Sequence, residues 1–370
     1  MPKILLFICV CIFISPFAAA IETENADSNF DLLLNHTNYG VADGLSQDTV
    51  TAIVEDKEGY VWVGTINGLN RFDGNEFKQF YAGDDGKSLP SSFIRNLLID
   101  DNGTLLVGTD KGLVEFNEET ESFHPNSISA QIGDQAIWSI SKQDNEILIG
   151  LNNKFLSYDS KTLVTNYLFE NENINEIKNI INFNNKFFLR NYEGELFTLN
   201  DGTLVKISSK TNDIILLSNK VITIKNDGIY DVTNTIKKLS NIIMTSIDSS
   251  AQGNATSIDD NNVYEISYKD IFKIKKIGTL LIEKEKLKKT FIKKTNNTIY
   301  ISNYNDGFTA IAKNKNYVNR INIKKNNIWS ITSYNKNIYL VGDDNNLSVF
   351  NENLQIIKEM QLNIPHGPKS

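Results

Sequence analysis

Three side chains of different chemistry stand where they could grip a small polar molecule: the guanidinium of Arg95, the amide of Asn96 and the indole of Trp138. Aligned through an internal repeat, Trp138 falls at the level of Asn96, with Arg95 beside it. Near the C-terminus Trp329 corresponds to Trp138. An indole stacks on the apolar face of a sugar, and a guanidinium grips hydroxyls or holds a carboxylate. Arg95, Asn96, Trp138 and Trp329 are therefore the candidate ligand-binding residues. A structural reading stands beside this one, in which Trp62, Trp138 and Trp329 wedge between neighbouring sheets.

Other residue groups promise less. Glu55-Asp56 and Asp100-Asp101 are paired carboxylates, each just ahead of a glycine. Catalysis would need opposed environments to separate their pKa values. Asp at such a corner instead caps the turn by accepting from backbone amides. His36, His124 and His366 sit in separate loop-like contexts, without a second ligand at metal spacing. No stretch spaces oxygens like a calcium loop. Gly83–Ser88, "GDDGKS", imitates the end of a phosphate loop, but Tyr81 stands where its first glycine belongs. No catalytic residue, metal or cofactor is assigned. Lysines crowd "KDIFKIKKIGTLLIEKEKLKKTFIKK", Lys269 to Lys294. They read either as an anion or partner patch or as an outer edge guarded against sheet pairing.

The elements that must position the candidate residues come from a repeat. "GYVWVGTINGLNRFD", Gly59 to Asp73, returns forty-four residues later as "GTLLVGTDKGLVEFN". It returns again, forty-two residues further, as "NEILIGLNNKFLSYD". "IWSISKQDNEILIGLNNKFLSYD" from Ile137 is echoed by "IWSITSYNKNIYLVGDDNNLSVFN" from Ile328. Fainter copies surround Glu193-Gly194, Asp227-Gly228, Asn261-Asn262 and Asp306-Gly307, giving eight corners 34 to 45 residues apart. Each unit holds four short runs rich in β-branched and aromatic residues, joined by hairpin chemistry. The glycines read as strand corners, and Asn67-Gly68 suits a type I′ turn. Four antiparallel strands about every forty residues make one propeller blade. The fold is therefore an all-β propeller of four-stranded blades, about seven to eight of them. Either eight blades close the ring, or seven do with the strand Phe30 to His36 completing the last, leaving the eighth to begin a second ring.

Net charge −8 argues against nucleic acid, whose binders usually carry a basic surplus. Residues 1–20 read as a secretory leader: Lys3, the apolar run Ile4 to Ile14, then Ala18-x-Ala20 before a mature start at Ile21. Both cysteines, Cys9 and Cys11, lie inside it, which leaves the exported chain without disulfides. A lead-in over 21–42 precedes the propeller at 43–360 and a tail at 361–370.

Asp43 to Tyr81 resembles the propeller repeat of the periplasmic sensor regions of two-component regulators. The residues that carry the likeness are Gly44-Leu45-Ser46, Trp62 to Thr65, Asn67 to Leu69 and Arg71 to Gly74. The likeness is specific over 40–123 and weaker beyond. It implies a periplasmic ligand-sensing module of a two-component or diguanylate-cyclase receptor, non-enzymatic in itself. It implies a homodimer and an output domain or receptor partner. The ligand expected is a small carbohydrate or peptide-like compound. No kinase or cyclase signature appears, so this chain is expected to be truncated before its output. Alternatives are a protein-binding scaffold propeller and a propeller glycan hydrolase or lyase.

Overall fold

The computed structural model describes residues 32–33, 36–159, 161–162, 164–249, 254–258, 262–268, 272–280, 289–295, 298–303, 305–312, 318–319, 328–334, 337–342, 346–350 and 356–362. The leader, both cysteines and His366 lie outside the described residues. Among those described, no helix is long and apolar enough to cross a membrane.

Antiparallel sheets of four strands follow one another along the chain. The first blade runs Val50–Glu55, Val61–Thr65, Gly68–Phe72 and Phe77–Phe80, and the second runs Ile94–Ile99, Leu105–Thr109, Gly112–Asn117 and Ser122–His124. The third to sixth start at Ser139–Gln143, Ile177–Phe183, Thr211–Leu217 and Ser246–Ser249. In the seventh, Lys289–Lys294, Thr298–Asn303 and Phe308–Ala312 are completed by Thr37–Tyr39 from the chain's start. The first strand of each blade packs on the first strand of the next, and Lys289–Lys294 returns to Val50–Glu55. A closed ring of seven results.

The core repeats this geometry. Each of seven apolar clusters bridges two adjacent blades. The one sealing the ring joins Tyr300 and Phe308 to Leu45, Val50, Val61, Val63 and Phe72. A blade is apolar on both faces, so only its neighbours can keep both dry.

Two features differ from expectation, each for a local reason. The closing strand is Thr37–Tyr39, directly after Phe30 to His36; of that stretch, Leu32–Leu33 instead adds to the edge of the sixth blade. Tyr39 anchors the closure against Phe308 and Phe72, at ring separations of 5.2 and 4.9 Å. Thr37 and Asn38 face solvent, so the strand shows no apolar run. The eighth unit, from Ile328–Tyr334 to Ile356–Gln361, makes a sheet hydrogen-bonded to no other among the described residues.

The repeated glycines, finally, divide into two kinds. Gly59, Gly68, Gly103 and Gly112 are corners with positive φ. The two-residue loop of the first blade is Ile66–Asn67, because Thr65 pairs with Gly68. Gly64, Gly108 and Gly150 lie inside second strands instead. A Cβ on them would meet Ile94 at 2.6 Å, Ile137 at 2.7 Å and the Ile177 carbonyl at 2.2 Å. They are gaps into which the next blade's first strand fits.

The lysine run splits as well. Phe272–Thr279 is an outer strand with Lys273, Lys275 and Lys276 exposed, whereas Lys289–Lys294 is innermost in its blade.

Candidate functional site

In the first, second, fourth and fifth blades the innermost strand begins with a one-residue β-bulge, and the bulges shape the site. The strand registers skip one residue between Val50 and Ala52, Ile94 and Asn96, Ile177 and Asn179, and Thr211 and Asp213. The skipped residues are Thr51, Arg95, Lys178 and Asn212. A bulge re-aims the extra side chain and frees a backbone carbonyl. Carbonyls at the starts of innermost strands are captured by the preceding blade. Thr51 Oγ1 donates to Ile94 O (2.6 Å), Asn96 Nδ2 to Ile137 O (3.1 Å), Ser139 Oγ to Ile177 O (2.8 Å) and Arg190 Nε to Thr211 O (2.8 Å).

The re-aimed side chains surround one cavity of about 440 Å³ where the innermost strands start. Every blade lends it a residue; in ring order these include Thr51, Arg95, Trp138, Lys178, Asp213, Ser246 and Phe291. A cavity lined from all seven sides lies at the mouth of the central channel, and its volume suits a small-molecule site.

The candidate residues fare differently there. Arg95, Asn96 and Trp138 all line the cavity. Trp138 stands level with Arg95 rather than Asn96, since Ile94 and Ile137 fill the equivalent glycine gaps; the hairpin that pairs Ser139 with Gly150 is one residue shorter than the one that pairs Asn96 with Gly108, which accounts for the offset. Arg95 gives Nε and Nη2 to Asp110 Oδ1 at 2.8 and 2.6 Å. Its guanidinium lies 4.0 Å from the Trp138 ring and 4.7 Å from Phe93. This sandwich fixes the indole, whose ring is also 5.7 Å from Tyr192. Asn96 spends its amide donor on the next blade. Trp329 holds the bulge position of the separate eighth sheet, and its side chain lies outside the described residues.

Lys178, Arg190, Tyr192 and Asp213 also line the cavity, in the part of the chain where the repeat is faint. The signal that marks Lys178 is positional: it follows Ile177 as Arg95 follows Ile94. Arg190 Nη1 donates to Asn179 Oδ1 at 3.0 Å. Lys178 faces the channel, yet the protein around it holds its ammonium below the ordinary lysine range, with the Arg190 charge adding to the effect. Asp213 keeps part of its surface open to the channel only. Enclosure pushes its carboxyl above the ordinary aspartate value, against the opposing pull of Arg190 and of the Ile214 amide at 2.9 Å.

A carboxyl raised on folding adds stability below its unfolded pKa, and that stability is lost as pH rises through the folded value. Carboxyl NMR should therefore find Asp213 titrating above, and the turn-capping Asp73 below, an ordinary aspartate. Asp213→Asn should flatten this part of the stability–pH curve.

The other motifs are structural. Asp56 accepts from Tyr60 N (2.8 Å) and Trp62 Nε1 (2.7 Å), and Asp100 from Asn102 N (2.9 Å) and Thr104 N (2.7 Å). Asp85 caps the Gly83–Ser88 turn through the amides of Lys87 and Ser88, at 3.0 and 2.8 Å. His124 bonds Ser122 Oγ at 2.7 Å in an outer strand.

Residues 44–67 match the family described as two component regulator propeller. Histidine kinase P4 of Formosa agariphila is 46% identical over 59 residues, which is 16% of this chain and 4% of the kinase. The extracellular domain of the putative hybrid two component system BT3049 from B. thetaiotaomicron superposes with a TM-score of 0.65 at 18% identity, covering 89% of this chain and 50% of that one. The chain thus spans about half the length of that domain. A virginiamycin B lyase from Staphylococcus aureus shares the fold at TM-score 0.53 and 14% identity, over 76% of this chain and 99% of the lyase. At such identities a likeness to solved structures shows fold alone. This chain is a β-propeller that carries the two component regulator propeller repeat and resembles the extracellular regions of hybrid two-component sensors.

Proposed function

We propose that the propeller is the ligand-sensing module of an extracytoplasmic receptor, and that the channel-mouth cavity binds the ligand, a carbohydrate or peptide-like molecule. One observation carries the reading: all seven blades lend side chains to a single cavity, the first, second, fourth and fifth through bulges that turn an extra side chain into it. A site spanning every blade gains free energy from the assembled ring alone, so occupancy bears on the whole propeller. The module acts by binding, not by chemistry, and reports to an output domain or a receptor partner. Its place is the periplasm, reached through the leader at 1–20.

Trp138 is the anchor to test, because its ring is half-buried and held in place by Arg95. In a thermal-shift panel of disaccharides and dipeptides, a true ligand at a hundredfold excess over its Kd should stabilise the propeller by about 2.7 kcal/mol. Trp138→Ala should abolish the shift while the variant, unliganded, keeps its β-sheet circular dichroism spectrum. A ligand that stabilises wild type and Trp138→Ala equally would move the site elsewhere.

A further inference from the structure

Charges around the cavity pair off unevenly. Arg95 is committed to Asp110 and sandwiched between two rings. Arg190 spends nitrogens on Thr211 O and Asn179 Oδ1 and faces the Asp213 carboxylate. Lys178 is left over. Among the described residues its Nζ has no hydrogen bond and no ion pair; the Tyr192 ring lies at 5.2 Å, and the Asp213 carboxyl acts on it from beyond ion-pair distance. Lys178 is exposed to the cavity it lines, and an ammonium with no direct ion pair is open to an incoming anion.

Two more features describe the rest of the ligand. Tyr192 is 59% exposed at the mouth, 5.7 Å from Trp138, so two aromatic rings line one wall. Asn212, the bulge residue of the fifth blade, has a side-chain amide with no partner among the described residues, free to donate and accept at once. Rings for stacking, an amide for hydroxyls and one unpaired ammonium describe a sugar with a negative charge.

We infer that the ligand is an acidic sugar, whose carboxylate or sulfate ester is held by Lys178 while its ring lies against Tyr192 and Trp138. The inference rests on the reading of this cavity as the ligand site. An ammonium is a point charge that takes either oxyanion, so the two sources share one chemistry.

The test is calorimetric titration of wild type at about 50 mM salt, where charge pairing is weakly screened. The probes are digalacturonic acid, its fully methyl-esterified form, a sulfated disaccharide, and a neutral disaccharide with a dipeptide as controls. At least one acidic probe should bind, and whichever does names the anionic group. The ester and the neutral sugar should bind at least about tenfold more weakly, as the loss of one charge-assisted hydrogen bond dictates. Lys178→Gln should weaken the acidic probe about 10- to 100-fold. Lys178→Arg should restore most of the affinity, and Lys161→Gln, on an exposed turn, should change nothing. Lys178 makes no hydrogen bond or ion pair among the described residues, only the Tyr192 contact, so equal melting temperatures will separate lost binding from lost fold.

Acid and ester bound equally, or acid binding unaffected by Lys178→Gln, would overturn the anion assignment and leave the cavity reading standing. A dipeptide bound in place of every sugar would overturn the sugar assignment. Silence from every probe would take the cavity reading down, and this inference with it.

Discussion

Gly307→Val is expected to open the ring. Gly307 sits at the corner before Phe308–Ala312 with φ +66°, and a Cβ there would lie 1.9 Å from the Tyr39 carbonyl oxygen. No rotamer relieves that contact, because the obstructing atom is backbone of the closing strand. The valine must push Thr37–Tyr39 off its partner. Three residue pairs are then lost, Thr37 with Ala310, Asn38 with Thr309 and Tyr39 with Phe308. The stacking of Tyr39 on Phe308 and its tilted contact with Phe72 go with them. Left-handed strain in a β-branched residue costs about 1–3 kcal/mol alone. Adding the lost aromatic cluster puts the total near 5 kcal/mol, the range reserved for broken architecture. Thermal unfolding should drop sharply, and limited proteolysis should newly cut between residues 36 and 48. A variant that melts like wild type would mean that the first strand does not hold the ring.

Trp62→Ala should produce the second largest loss. Trp62 is 2% exposed, packed 4.8 Å from Phe116 and 5.8 Å from Phe80 in the cluster joining the first two blades. Truncating such a ring costs about 3–5 kcal/mol through lost transfer energy and the cavity left behind. The indole N–H also satisfies Asp56 Oδ2, so the capped turn before Val61 loosens as well. For a ring of this size the melting temperature should fall by about 10 °C. Trp62→Phe keeps the ring and loses only the hydrogen bond, at about 1 kcal/mol. If the alanine and phenylalanine variants melt alike, packing is not what the indole contributes.

Those two residues also show what the sequence displays and what it conceals. Gly64 returns as Gly108 and Gly150, and Gly68 as Gly112, because every interface between blades poses the same steric problem, and a repeated problem leaves a repeated mark. From that mark the four-stranded blades follow. The closing strand has no such signature: Thr37 and Asn38 are polar, and Tyr39 is identifiable only once Phe72 and Phe308 are seen around it. Nor does alternation betray the bulges. A hairpin one residue shorter moves Trp138 from the level of Asn96 to that of Arg95, and an extra bulge residue turns Lys178 into the channel of a blade whose repeat has decayed. Ligand-facing positions are free to differ from blade to blade, so they carry no repeat by which to find them. Asp56 and Asp100 cap turns, as their place ahead of a corner glycine indicates, because an oxygen beside a tight corner meets backbone amides first.

The strand that closes the circle is translated before everything it touches. Asn38 Oδ1 accepts from Thr309 Oγ1 across 271 positions of chain. Until Phe308–Ala312 has been made, Thr37–Tyr39 has nowhere to dock, and a nascent chain carries six blades with the first and last still bare. Sealing is a single long-range loop closure and therefore a late, slow event. During that interval the unpaired edge of Phe308–Ala312 is open to strands from other molecules. Yield on refolding should thus depend on dilution, and a chain interrupted before residue 308 has no way to finish the circle.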